Sequence, residues 1–171
     1  RVDLLLGPYS SVLTLAAAPV AERRQRVLWN HGGASDGIHE KGYLWTVSIL
    51  TPASTYLHGV VDLVRETDPK ARRVAILYSS RGSFPSTVVS GVEAYALGKC
   101  FQIVYKVAYR PPLEDFSPWL DEMAAQGPDV VIGVGRIQDD LALAKQIAER
   151  RFEAGAIAVV AAGIGQFHDE L

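Results

Sequence analysis

Residues 2–18 read VDLLLGPYSSVLTLAAA, and this stretch decides the fold. Val2 and Leu4 to Leu6 form a short apolar run, long enough for a buried strand. Gly7-Pro8-Tyr9 breaks the run. Ser10 and Ser11 follow, and from Val12 on the pattern is helical. A strand that enters a tight turn, with hydroxyls at the start of a helix, outlines a small-molecule site. The first N–H groups of a helix have no internal partner, and the helix dipole is positive there. A carboxylate or other anion can bind those groups with help from a serine hydroxyl. The same serines also suit the N-cap, and on local sequence alone capping is the commoner role.

Working outward, the first helix runs from about Ser10 to Arg24. Val12, Leu15, Ala16 and Val20 recur at helical spacing, and Pro19 should kink or divide the helix. Val27-Leu28-Trp29 reads as a short strand and Asn30–Gly37 as a loop of small and polar residues. Leu44–Ile49 reads as another strand. Thr51-Pro52 suits the start of the next helix, with Leu57, Val60, Val61 and Val64 on one face. Arg73–Tyr78 is a strand, followed by the loop Ser79–Phe84. The helix after it runs to Leu97, with Val88, Val92 and Tyr95 inward and Gly98 as its stop.

Gln102–Tyr109 is the next strand. Ser117-Pro118 opens a helix with Leu120, Met123 and Ala124 on its core side, and Gly127-Pro128 ends it. Asp129–Gly133 is a strand. A helix from Asp139 to about Arg150 should bury Leu141, Ala144 and Ala148, and Ala156–Ala161 is the last strand. Strand and helix alternate, and several strands are continuously apolar. That predicts an α/β fold with parallel sheets covered on both faces, joined by right-handed crossovers. Such sheets bind ligands beyond the carboxyl ends of their strands. The loops there are Gly7–Ser11, Asn30–Asp36, Ser79–Phe84, Gly133–Gln138 and Gly163–His168.

Composition narrows the function. The 171 residues allow one domain or two small ones. Hydrophobic residues make up 49% and charged residues 21%, so a core can be buried and disorder is disfavoured. The net charge of −2 argues against a nucleic-acid partner, which needs clustered cations. Arg23, Arg24 and Arg26 read as a solvated helix end. Cys100 is the only cysteine, so an intrachain disulfide and a multi-cysteine metal site are both excluded. No apolar run approaches the roughly 20 residues of a membrane span. No signal peptide is evident, and a strand reading begins at Arg1; the expectation is a removed leader or a piece of a longer chain.

Most catalytic signatures are missing. There is no Walker A sequence and no GxSxG elbow. Gly133-Val134-Gly135 and Gly163-Ile164-Gly165 each carry two glycines of a dinucleotide fingerprint, but Gln138 and His168 stand at the third position. Ser10, Ser11, Ser35 and Ser83 have no adjacent base in sequence. His31, His39, His58 and His168 lack metal-ligand spacing. His31 lies in a ligand-side loop, and His58 reads as a partly exposed surface residue. Asp139-Asp140 could be a carboxylate pair, but they begin a helix, where acids favour the dipole, and that is the commoner reading. Trp29, Trp45 and Trp119 read as core.

An ordered series of motifs resembles the leucine/isoleucine/valine-binding type of periplasmic solute-binding protein. The series is VDLLLGPYSS…LAAAPVAE, Gly33-Ala34-Ser35-Asp36 before Gly42-Tyr43, Val74–Tyr78, Asp115-Phe116-Ser117 before a helix, and Pro128–Ile132. The resemblance covers nearly the whole chain. It implies a type I periplasmic binding fold, in which two Rossmann-like lobes close on a ligand, with the first lobe incomplete here. Residues 1–49 would be part of the first lobe and 50–171 most of the second. The implied function is extracytoplasmic capture of a small carboxylate or amino-acid-like ligand for an ABC importer, without enzymatic activity or a cofactor. Its partners would be that ligand and the membrane permease, in the periplasm or outside the cell, with a lipid anchor as one option for the full-length protein.

The same resemblance assigns ligand-binding positions. Ser11 corresponds to the serine that meets the ligand's charged group, beside Ser10. Gly32, Gly33, Ala34 and Ser35 match the loop that offers a carbonyl and a hydroxyl, and only Ser35 can supply the hydroxyl. Phe84 is the aromatic candidate from the first loop of the second lobe. Arg136 stands where an aromatic is common, and the acidic residue for an ammonium group near Gly163 is missing. An unpaired buried ammonium costs several kcal/mol, so these residues favour an aromatic or aliphatic carboxylic acid, with Arg136 able to hold it in a two-pronged hydrogen bond. As a solvated helix-start residue, Arg136 would have no such role. Two other readings stand: a ligand-sensing domain of the same fold, and a small α/β serine hydrolase. The open apolar edge of an incomplete first lobe predicts a dimer or swapped arrangement of the isolated chain.

Overall fold

A computed structural model describes residues 2–171. Arg1, which the sequence reading places at the start of the first strand, lies outside the described residues. The chain forms two compact units. The first runs up to Tyr56 and takes in Gly82–Gly91; the second comprises Leu57–Arg81 and Val92–Leu171.

The first unit contains β1 (Leu4–Leu6), α1 (Ser11–Arg24), β2 (Val27–Asn30), α2 (Asp36–His39) and β3 (Thr46–Ser48), followed by a 3-10 turn at Ala53–Thr55. The three strands are parallel in the order β1-β2-β3, with Leu5 opposite Leu28 and Leu28 opposite Thr46. One side of this sheet carries α1. Leu28 packs with Ala18 and Ala21, and Leu5, Ala17 and Tyr43 border them.

The sequence places the wrong face of α1 inward. Val12 and Val20 are exposed, whereas Ser11, Thr14, Ala18 and Ala21 are buried. The reason is a close approach. A Cβ at Gly33 would lie 2.5 Å from Thr14 Oγ1, so the helix face toward the loop after β2 must be small. Pro19 sits inside α1 without ending it, and α1 stops instead at Gln25, in the left-handed conformation.

β1 is not the buried strand its apolar run suggests: Leu4 is 53% and Leu6 74% exposed. Their neighbours Trp29 and Val47 are exposed as well. Trp29 is exposed, so the core role expected for it is not met; Trp45 is half-buried, and Trp119 is half-buried against the core of the second unit. Thr51 does not cap a helix, since the 3-10 turn comes first. The stretch Asp36–His39 of the expected loop region is a helical turn.

The second unit contains α3 (His58–Thr67), β4 (Arg73–Ser79), the rest of α4 (Ser83–Gly98), β5 (Gln102–Tyr109), α5 (Ser117–Ala125), β6 (Val130–Val134), α6 (Ile137–Glu149) and β7 (Ala156–Val159). A 3-10 turn at Val160–Gly163 and α7 (Gly165–Glu170) end it. Helix α7 occupies a stretch read from sequence as loop. The sheet is parallel in the order β5-β4-β6-β7. Val74 to Leu77 are all buried, as a central parallel strand requires. The Asp129 carboxylate accepts the N–H groups of Arg72 and Arg73 at 2.7 and 2.8 Å and fixes where β4 enters beside β6.

Phe116 at the start of α5 is fully buried against Tyr109, with ring centres 5.2 Å apart. Burying a phenylalanine contributes about 1.5–3 kcal/mol. Two expected core positions turn outward: Ala124 on α5 and Ala148 on α6 are exposed. Larger residues take the inner positions on α6, namely Leu141, Leu143 and Ile147.

Candidate functional site

In the first unit the carboxyl ends of β1 and β2 form one hydrogen-bonded cluster. Ser10 is the N-cap of α1. Its backbone N–H donates to Gly32 O at 3.1 Å, and its Oγ accepts the Leu13 N–H at a long 3.4 Å. Its φ of 125° and ψ of 149° lie where glycine is the usual occupant. Gly32 is required opposite it, since a Cβ there would stand 2.7 Å from Tyr9 Cα.

Ser11 is 3% exposed. Its Oγ accepts the N–H groups of Ala34 at 3.1 Å and Ser35 at 3.0 Å. The capping role therefore falls to Ser10, and Ser11 holds the next loop. Asn30, absent from the sequence-based set, anchors the same loop from the end of β2. Its Oδ1 accepts the Gly33 N–H at 2.8 Å, and its Nδ2 donates to Gly33 O at 2.7 Å and Ser48 Oγ at 2.9 Å. Ser35 Oγ and Thr87 Oγ1 are 3.3 Å apart. Phe84 is half-buried, edge-on to Tyr56 at 5.6 Å, and its segment groups with the first unit. Ser10, Ser11, Gly32, Gly33, Ala34, Ser35 and Phe84 thus all belong to one unit. His31 is exposed.

In the second unit, Arg136 is exposed at the turn between β6 and α6. Its N–H donates to Asp139 Oδ2 at 3.5 Å, so Asp139 supplies the helix-start contact expected of an acid there. Asp140 is 1% exposed, deeper than a dipole-favouring surface acid would lie. Its Oδ2 accepts the Ala161 N–H at 2.9 Å. Burial pushes its carboxyl up to about 7, against the Ala161 and Gly135 N–H groups, which favour its charge; Asp139 adds to the rise. Burial also raises the Tyr109 hydroxyl, with the nearby Asp139 and Asp140 charges adding to it. No alternation or spacing rule marks Asn30, Tyr109 and Asp140; only their place at strand ends does.

Among the described residues, no imidazole or carboxylate hydrogen-bonds Ser10, Ser11 or Ser35, and no group of acidic, histidine or cysteine side chains could hold a metal ion. No helix of the described residues is long and apolar enough to cross a membrane.

Serines, glycines and backbone amides thus gather at strand carboxyl ends, the end of a parallel sheet at which such folds hold ligands. The chain belongs to the periplasmic binding protein family, whose model matches residues 1–168. It is 24% identical over 163 residues to the Leu/Ile/Val-binding protein homolog 8 of Brucella abortus, covering 91% of this chain and 40% of that relative. It superposes with a TM-score of 0.77 and 20% identity on a solute-binding protein of an ABC transporter from Rhodopseudomonas palustris in complex with 3,4-dihydroxybenzoic acid, covering 92% of this chain and 42% of the other. A TM-score of 0.77 with 18% identity relates it to the branched-chain amino acid transporter substrate-binding protein LivJ of Streptococcus pneumoniae in complex with isoleucine, covering 92% and 44%. The chain therefore spans less than half the length of these relatives, and its fold is the type I periplasmic binding fold in part.

Proposed function

We propose that this chain is part of an extracytoplasmic solute-binding protein that captures a small carboxylate and delivers it to the membrane permease of an ABC importer. The observation that carries the reading is the Ser11–Ser35 cluster. A buried serine fixes two successive backbone amides beside the N-terminus of α1, which carries partial positive charge. The oxygen is taken up by both amides, so the Ser11 O–H is the donor this reading assigns to an anion at that helix start, and it does no chemistry of its own. The serines lack a general base among their partners, which favours binding over hydrolysis.

Two similar structures bind 3,4-dihydroxybenzoate and isoleucine, and both ligands carry a carboxylate. That shared group supports the carboxylate class. Under this reading Ser10, Ser11 and Gly32–Ser35 receive the acid, Phe84 covers it and Arg136 adds charge. Residues 1–49 would belong to the first lobe and 50–171 to most of the second. Lipid anchoring of the full-length protein is one option within the extracytoplasmic setting.

A thermal-shift series on the full-length protein tests the reading, because a ligand that binds only the folded state raises the melting point. Aromatic acids or branched-chain amino acids should raise it in proportion to the logarithm of their concentration. No shift with any carboxylate, from a protein that melts cooperatively, would refute it.

A further inference from the structure

The second unit buries two acids in one helical turn, Asp139 and Asp140, at 5% and 1% exposure. A buried charge needs compensation from hydrogen bonds or a partner charge. Asp139 finds it in the Tyr109 hydroxyl and in two long contacts, to the Leu113 N–H at 3.4 Å and the Arg136 N–H at 3.5 Å. Asp140 is placed differently. Its carboxylate receives the Ala161 N–H at 2.9 Å, from the turn after β7, and also the Gly135 N–H, from the turn after β6. One side chain therefore spans the carboxyl ends of two neighbouring parallel strands. The space around it is full. A Cβ at Gly135 would come within 2.5 Å of both Asp140 Oδ1 and Tyr109 Oη.

The groups facing Asp140 are few. Asp139 lies beside it on α6, and Tyr109 approaches from β5. The turn after β7 offers Ala161, which does not ionise; the buried residue of α7 is Phe167, and Arg136 is exposed. Among the described residues no cation pairs with Asp140. Its charge rests on two backbone N–H groups and the start of a helix.

We propose that Asp140 is a positioning residue, whose charge state sets where the β6–α6 turn with Arg136 and the turn after β7 stand. As a carboxylate it holds both N–H groups. When it takes a proton from solvent, the protonated oxygen becomes a poor acceptor and one turn is released. The Asp140 carboxyl lies near 7, so this change falls within the range a solute-binding protein outside the cytoplasm meets. Ligand affinity then follows pH; this last consequence rests on the solute-binding reading above.

The test is an amide NMR titration of the full-length protein from acid to mild alkali, alongside Asp140→Asn and, as a control, Asp139→Asn. The Ala161 and Gly135 amides should move together with one midpoint near neutrality in the wild type and in Asp139→Asn. That midpoint should vanish in Asp140→Asn. If Asp140→Asn does not fold, the Asp140 carboxyl carbon signal in the wild type assigns the midpoint instead. Amides that do not titrate together, or that titrate unchanged without Asp140, overturn the proposal.

Affinity is read in parallel with 3,4-dihydroxybenzoate and isoleucine as probes. The dissociation constant of the probe that binds should change by about threefold or more across the same midpoint and be flat in Asp140→Asn. Binding that ignores pH in the wild type overturns the tuning. If neither probe binds at any pH, that failure belongs to the ligand reading, and the amide titration still decides whether Asp140 sets the two turns.

Discussion

Ser11 Oγ accepts the Ser35 N–H at 3.0 Å, so the first turn of α1 holds the loop that follows β2. The Ala34 N–H joins it at 3.1 Å. Ser11→Ala leaves both buried N–H groups without an acceptor, at about 1–3 kcal/mol each. Urea unfolding followed through Trp29 and Trp45 fluorescence should show the first unit losing several kcal/mol. A loss below about 1 kcal/mol would mean that water replaces the hydroxyl there.

Ser10 holds a backbone conformation, φ 125° and ψ 149°, that suits glycine. Strain of this kind costs about 1–3 kcal/mol. Ser10→Gly removes it at the expense of a weak cap, worth only a few tenths of a kcal/mol against glycine. Extra chain entropy takes back about 0.5–1 kcal/mol. The variant should melt slightly higher than the wild type, and a clearly lower melting point would contradict the strain.

Gly91 sits mid-helix in α4, where alanine normally helps by about 1 kcal/mol. Here its Cβ would stand 1.9 Å from the Ser54 carbonyl oxygen. Backbone cannot yield cheaply, so Gly91→Ala should destabilise by about 1–3 kcal/mol or more. The sign alone, read from thermal melting, decides whether α4 and the 3-10 turn at Ala53–Thr55 touch this closely.

Asp140 carries a pH prediction for stability. Its carboxyl, near 7 in the folded protein, lies above the ordinary aspartate value of 3.8. The folded state therefore binds the proton more tightly than the unfolded state. The associated stability is fully present below about 4 and is lost as pH rises through about 7. The size is a few kcal/mol at most, because each tenfold change in proton affinity is worth about 1.4 kcal/mol. Unfolding free energies measured across that window should fall with pH in the wild type and fall less in Asp140→Asn. Equal slopes would contradict the assignment.

The alternation of apolar strands with helices was legible because parallel strands such as Val74–Leu77 are buried on both faces and leave unbroken apolar runs. Strand β5 matches its sequence-based bounds, Gln102–Tyr109. The inner face of α1 was not legible. Apolar periodicity points to Val12 and Val20, while the loop at Gly33 demands small residues opposite it. The same blindness hid the anchoring role of Asn30 and the burial of Asp140. Both are polar residues buried by contacts between segments far apart in sequence, and their partners are backbone groups with no sequence signature. Serines at a Gly-Pro turn were readable as a cluster; which one caps α1 and which one holds the loop was set by three-dimensional reach.

Calorimetric titration of the full-length protein decides whether it captures a carboxylate. The titrants are 3,4-dihydroxybenzoate, isoleucine and the corresponding neutral amides, with Arg136→Ala run beside the wild type. Carboxylate capture predicts saturable one-site binding of at least one acid, weaker binding of its amide, and a loss in Arg136→Ala that falls on the acid more than on the amide. A folded protein that binds acid and amide equally, or binds neither, would contradict it.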